Sequence, residues 1–598
     1  MFATASTVAI GQNDEGEASP LRRLAPDEVM SVDLSQDYET VIYSLGFSDS
    51  TSELSRSAKL KLDRPALAYV NLVSKYGIPY TKTSNFKDWI EYYDPEADVY
   101  FVKRVRVNVQ GQSSTQFPKR NVVMEFCEDE WLCDSVPTID FRGWVEQDAF
   151  HLKAFYTDWL RGVGIVGYQL YDEMEQLKPE EQNRIWKRAG VEGRQNARCY
   201  PDGFPCALFL NGEYYGIYTW QLKKHRRNMA MEKKNPMHIH LDGNMGEDNF
   251  WNGTLKWTSF EVRNPKGLTD MEGQPYDGDA PKEIADGEVK QAIVALSQRC
   301  NELKALRTQG ASQEEIRQSM AEHFDVESML NYLVFSTVVS NYDGFTKNWQ
   351  WLTYDGQKWY VAPYDLDCTF GNFHAGTFVF PAEYSYVDSD HTLSLSRRGI
   401  ATWFWDYYWD ELCQRYAEVR DAGVISASHI SQLLHNWHDR IGTPTYDAEW
   451  PLWPKCMCVS QTITNEGWAE YNEWPDFYHI PTWKEDRTFE AGDLCRLDNR
   501  VWLATATTTG VRPYQQMGYT DSLDRLDQWI GRRIELEDDF FGYVPSDLRE
   551  VIAPSEVFTS DCGVEVYGLD GVRRDRMQQG INLLRYSNGM TRKIILKD

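Results

Sequence analysis

Long apolar runs are missing from this chain of 598 residues. A membrane-spanning helix needs ~18–20 uninterrupted apolar residues. The best candidate, residues 329–339, is shorter and is interrupted by Asn331, Ser336 and Thr337, so no membrane span is expected. Cysteine is also sparse: there are 11, an odd number, with no CxxC pair. A disulfide framework or a zinc ribbon would be denser and more regular, so mostly buried free thiols are expected. Positive charge is in deficit, 62 basic against 90 acidic side chains for a net charge of −28. Such a surface repels a polyphosphate backbone, and no nucleic-acid partner is expected. Gly-x-Ser-x-Gly, Walker A and HExxH patterns are absent, which removes the usual support for serine-hydrolase, P-loop and zinc-protease readings. The opening MFATASTVAIGQNDEGEASP has neither a basic nor a sustained apolar stretch and does not read as a secretory signal.

What the chain does have is core material. Hydrophobic residues make up 42% and aromatics 14%, enough for several cores, and at ~100–200 residues per domain the length predicts three to five compact units. Residues 1–57 are polar and patternless, with an acidic run at 13–17, and read as a flexible leader. Beyond them the texture alternates. Strands are expected at 60–72, at 102–109 with Val105, Val107 and Val109 on one face, and at 120–126 with Val122, Met124 and Phe126 on one face. Helices are expected at 148–161 and 169–175. Asn211-Gly212 between two apolar runs predicts a hairpin over 207–221, and Asp355-Gly356 another over 349–362. Further helical stripes run through 287–306, 403–420, 426–440 and 523–541, with Asp325 as the cap of a buried helix. Mixed strands and helices in this order read as α+β.

Four segments suggest chemistry. Gly111, Ser113 and Ser114 lie in a small polar loop between two strands, where backbone N–H groups and hydroxyls suit a phosphate. Lys119 and Arg120 follow, within reach of phosphates held there. Asp343, five residues before Asn348, has the spacing of a kinase catalytic loop, in which the Asp handles the hydroxyl proton and the Asn amide oxygen binds Mg²⁺. Asp365 and Asp367 place two hard oxygen ligands at the end of a strand, suited to Mg²⁺ or Mn²⁺ bridging nucleotide phosphates. On an extended strand end they would point to one side and repel each other. Asp343 is expected to be an exposed loop carboxylate that contributes little to stability.

The stretches GQSSTQFPKRNVVMEF, FHLKAFYTDWLRGVGIVGYQLYDEM, LFLNGEYYGIYTW and LNYLVFSTVVSNYDGFTKNWQWLTYDGQKWYVAPYDLDCTFGN resemble the spore-coat protein H (CotH) kinase-like family of atypical protein kinases. The resemblance runs, with gaps, from Leu60 to Gly542. It implies an atypical protein-kinase-like fold and ATP- and Mg²⁺-dependent transfer to Ser or Thr of a protein substrate. By it, Asp343 matches the catalytic Asp, Asn348, Asp365 and Asp367 the metal positions, and Lys119 and Arg120 the nucleotide-contacting basic pair. Two departures stand out. Relatives carry an acidic residue shortly after Gly216-Ile217-Tyr218, whereas residues 219–224 here have none, and the usual Lys-Lys is Lys119-Arg120.

Around a kinase-like domain at 58–480, closed by a helix in 518–542, the chain carries two accessory β modules. Residues 481–517 resemble a small chitin-binding-type carbohydrate module, with Trp483, Trp502 and Tyr514 as the rings on which a glycan would stack. Residues 543–598 resemble the C-terminal β modules of exported Bacteroidota proteins. With no signal at Met1, a phage virion protein made in the cytoplasm and acting outside the cell is one expectation. The non-catalytic alternative is a structural or adhesive virion or surface protein built on the same scaffold. His238-x-His240 and His435-x-x-His438 lack ligand partners at a known spacing and read as structural.

Overall fold

Alternating apolar residues close the N-terminal strands into a barrel. The computed structural model describes most of residues 67–127, 142–243, 254–372, 400–453, 481–511, 523–545, 551–552 and 564–596. The expected leader and the first part of the 60–72 strand lie outside the described residues. The barrel strands are β1 (Ala68–Val73), β2 (Phe86–Asp94), β3 (Val99–Gln110), β4 (Asn121–Phe126), β5 (Ala149–Lys153), β6 (Gly203–Leu210) and β7 (Glu213–Leu222). Their order is β1-β2-β3-β4-β5-β7-β6, and a parallel β1–β6 pairing completes the ring. Val105 and Val107, Val122, Met124 and Phe126, and Tyr218, Trp220 and Leu222 fill its interior, as period-2 alternation requires. Asn211 and Gly212, both at positive φ, turn β6 into β7.

The expected helix at 148–161 is not formed. Residues 149–153 are β5, paired with β4 and β7. Phe150 and Leu152 point into the barrel, so His151 and Lys153 point outward. Alternation outweighed helix propensity here. The helix begins later, as α1 (Val163–Gln176), because the Asp158 carboxylate accepts the N–H groups of Gly162 and Val163 at 2.6 and 2.7 Å. The expected 169–175 helix is its second half.

A second sheet, ordered β11-β10-β8-β9, comprises β8 (Ile239–Gly243), β9 (Phe260–Asn264), β10 (Trp349–Thr353) and β11 (Tyr360–Pro363). It packs with helices α2 (Glu288–Thr308), α3 (Gln313–His323) and α4 (Val326–Val338) in one large core containing Trp349, Trp351 and Trp359. Asp325 caps α4 by accepting the Ser328 N–H. The expected 403–420 helix is two, α5 (Ile400–Tyr407) and α6 (Trp409–Asp421), broken at Tyr408, whose hydroxyl donates to the Arg317 carbonyl. Next come α7 (Ala427–Ile441) and α8 (Thr443–Glu449). Helix α9 (Leu523–Phe540) joins this layer: Asp538 accepts from Tyr416 and Arg420 at 2.7 Å, and the buried Arg533 donates to the Thr337 carbonyl. The architecture is α+β.

Residues 481–511 carry two small strand pairs, Thr488–Phe489 with Thr508–Thr509 and Leu494–Leu497 with Arg500–Leu503. A five-stranded sheet spans Val551–Leu596. Six described cysteines are free, five of them buried, and Cys127 is disulfide-bonded. Among the described residues no helix is long and apolar enough to cross a membrane. The histidine pairs are structural: His240 meets Gln350 at 2.5 Å, His238 accepts the Glu232 N–H, and His435 meets Asp527 at 2.9 Å.

One inward-facing group is out of place. Asp88, paired across the sheet with Val105, is fully buried, and no hydrogen bond of normal geometry reaches either carboxylate oxygen. Burial pushes its pKa up from 3.8 to about 7, with Ser74 acting against the shift. Between those values the folded state keeps a proton that the unfolded chain releases. The stability this brings is full below the unfolded value and is lost as pH rises through about 7. Asp88→Asn should flatten that dependence and stabilise the protein at alkaline pH by roughly 1–3 kcal/mol, read by urea unfolding across a pH series. An unchanged pH profile would show that Asp88 does not titrate in this range.

Candidate active site

Two loops meet beside the outer face of the barrel. The first, the tight turn Tyr342–Phe345, follows α4 and carries Asp343; Asn348 lies just beyond it. The second, Leu366–Cys368, follows β11 and is flanked by Asp365. Backbone bonds tie them together, from Tyr364 N–H to the Asn348 carbonyl at 3.0 Å and from Phe370 N–H to the Val339 carbonyl at 2.7 Å. Ser340, Asn348, Asp365 and Phe370 all have φ between 52° and 62°. Non-glycine residues take that conformation at a cost, and its clustering marks a site held in shape by its surroundings.

Asp343 is buried, not exposed as expected. Its carboxylate accepts from the Asn348 amide at 2.7 Å and pairs with Lys347 at 3.0 Å. Burial, and secondarily Asp365, hold its pKa above the usual carboxylate range, while Lys347 and Asn348 oppose this. With the Asn348 N–H₂ turned to Asp343, the Asn348 Oδ1 is left for another partner. Asp365 and Asp367 do not sit on an extended strand end: Asp365 is left-handed and Asp367 lies in the following turn. They interact nevertheless. Burial and then the Asp365 charge push Asp367 up to about 7. The loop lies flush on α1, because a Cβ at Gly164 would stand 3.1 Å from the Leu366 carbonyl carbon and oxygen.

A second cation at these carboxylates, besides Lys347, is Lys153, at 3.4 Å from Asp365. Its alternation with Phe150 and Leu152 was the signal that could have found it. The phosphate-loop candidates lie next to it. Gly111 has φ 108°, and Ser114 Oγ accepts from the Asn121 side chain at 3.2 Å. The Asn121 Oδ1 in turn accepts the N–H of Ala154, the residue after Lys153, at 2.7 Å. The Ser113 side chain lies outside the described residues.

Lys119 is held elsewhere. Its ammonium is buried between the Ile217 carbonyl, the Tyr218 ring and the Glu449 carboxylate, the last at 2.6 Å. Glu449 Oε1 also accepts from Arg161 at 3.0 Å, and Oε2 accepts the Ile217 N–H at 2.7 Å. Gly216 makes room, since a Cβ there would come within 2.5 Å of that oxygen. The carboxylate that pairs with Lys119 thus comes from the end of α8. Burial pushes Lys119 down, to about 7, and Glu449 works against it. Arg120 presents its carbonyl to the Tyr218 hydroxyl at 3.1 Å.

Residues 107–477 match the family model described as CotH kinase protein, more than half of the chain. The chain belongs to the CotH kinase family. No curated protein matches it. The region matched by the CotH kinase model includes every residue of the two loops, Lys153 and the Lys119–Glu449 pair. Of the glycan candidates outside it, Trp483 is half-buried and its indole N–H donates to the Val511 carbonyl at 3.0 Å. The Trp502 side chain and Tyr514 fall outside the described residues.

Removing one member of a buried charge cluster strands the rest. Glu449→Ala leaves Lys119 and Arg161, both with fully buried side chains, uncompensated and should cost about 3–5 kcal/mol, read by urea unfolding. A cost below ~1 kcal/mol, the range of an exposed pair, would mean that the cluster is solvated.

Proposed function

We propose that this CotH kinase family protein transfers phosphate from ATP to Ser or Thr hydroxyls of a protein, with Mg²⁺ or Mn²⁺. The observation that carries the reading is the meeting of Asp343 and Asn348, Asp365 and Lys153 from three separate segments of the chain. Fit to a metal nucleotide is favourable on two counts. Asp365, Asp367 and the Asn348 amide oxygen would supply hard oxygen ligands of the kind Mg²⁺ takes together with phosphates and water. Moreover, buried polar atoms without partners line the strands beside Lys153: Asn108 Oδ1, Gln110 Oε1, His151 Nδ1 and Gln221 Oε1. Buried acceptors and donors left this way favour a polar ligand.

A bound Mg²⁺ would neutralise charge on the phosphate oxygens. The chain's own part is positioning. Asp343, oriented by Asn348, accepts the proton of the attacking hydroxyl, and its raised pKa suits that role. Lys153 opposes the charge of the phosphates from the barrel side. Lys119, locked by Glu449, fixes the strand that follows the Gly111–Ser114 loop.

Incubation with labelled ATP and either metal tests this reading. Transfer should be seen, and Asp343→Asn should reduce it by ~10²–10⁴, with retention of the fold checked by circular dichroism. Absence of nucleotide binding and of autophosphorylation under both metals would leave the scaffold reading.

The carboxylate pair gives an independent measurement. Mg²⁺ or Mn²⁺ with ATP should stabilise the wild type by roughly 2.7 kcal/mol at ~100-fold over Kd. The double change Asp365→Asn, Asp367→Asn should raise metal-free stability slightly and erase the shift. A wild type that shows no shift has no metal site.

A further inference from the structure

In a chain of net charge −28, residues 223–234 read KKHRRNMAMEKK, with six cations and one acid. This segment leaves the end of β7 and is firmly anchored. Met229, Ala230 and Met231 are buried in a core with Trp186 and Tyr354. The buried Asn228 donates to the Tyr200 carbonyl at 2.8 Å and accepts the Arg198 N–H at 3.2 Å. With its apolar residues inside, the turn presents its charged residues outward: Lys233 and Lys234 are exposed, and Arg226 and Arg227 are half-exposed.

The β8–β9 unit adds to the same surface. Lys266 is exposed, and its N–H donates to the Lys233 carbonyl at 2.8 Å. The patch also reaches the candidate active site. Asp242 pairs with both Lys224 and Arg263, and the Lys224 ammonium lies 4.1 Å from the centre of the Tyr364 ring, one residue before Asp365. His225 senses the concentration of charge: burial first, then Arg226, Lys223, Arg227 and Lys266 hold its pKa far below the usual histidine range. This run of cations starts beside the carboxylates that would hold the metal and continues over an exposed edge.

We propose that this surface docks an acidic segment of the protein substrate, flanking the hydroxyl presented to Asp343. The proposal rests on the kinase reading above for the identity of its occupant. Charge complementarity recruits such a segment and sets its register, and the same cations would reject a basic peptide.

The test is binding of a fluorescein-labelled, Glu-rich peptide containing one Ser to the full chain, followed by anisotropy at low and moderate salt. Wild type should bind and weaken with salt. Arg226→Ala/Arg227→Ala and, separately, Lys233→Ala/Lys234→Ala should each weaken binding by on the order of tenfold, with ATP affinity unchanged. The second pair is exposed, which guards against a folding defect in the first. Equal peptide binding by both variants overturns the proposal, as does a parallel loss of ATP affinity, or tighter wild-type binding of a single-stranded oligonucleotide of equal charge. Peptide binding without turnover would sink the kinase reading and leave the docking surface standing. Turnover of neutral and acidic peptides alike would do the reverse.

Discussion

One carboxylate organises the joint between barrel and helices. Glu449 takes a cation from β4's approach, a cation from the turn before α1 and a backbone N–H from β7. Three elements far apart in sequence converge on two oxygen atoms that see no solvent. Burying charge at this density is costly unless each member is satisfied, and the surroundings are arranged to do so. Arg161 donates to the carbonyls of Phe155, Tyr156 and Asp158, Lys119 donates to that of Ile217, and Gly216 leaves the space open. The cluster joins the barrel to the turn before α1 and to the end of α8.

The reactive groups depend on strain of a different kind. Asn348 and Asp365 adopt left-handed backbone conformations next to each other across two loops. Neither loop would hold that shape alone. Hydrogen bonds from Tyr364 and Phe370 lace them together, and the Tyr332 hydroxyl fastens the Gly344 carbonyl from below. The site is thereby preorganised by α4, buried from Ser328 to Val338, which is capped by Asp325 and shares its core with Trp349, Trp351 and Trp359.

Much of this was legible in the chain, and the divisions are physical. The β3, β4 and β6–β7 strands were readable because their apolar residues alternate and Asn211-Gly212 can only turn. The loop residues Asp343, Asn348, Asp365 and Asp367 were readable as a pattern, although their burial and backbone conformations were not, since both arise from packing. Lys153 was hidden by a short strand that a helical reading had absorbed. Glu449 was beyond reach of any local rule, being 330 residues from Lys119. Contacts at such separations leave no trace in spacing.

The contact between Gly164 and the Leu366 backbone has a further consequence. With no side chain between them, helix and loop touch atom to atom, and the loop's position is set by the thickness of a bare polypeptide. A single methyl at Gly164 would press directly on the Leu366 backbone, next to Asp365. The rear surface of α1 is therefore a mechanical input to the site, where fine adjustment of ligand spacing is available without touching any residue that meets the ligand.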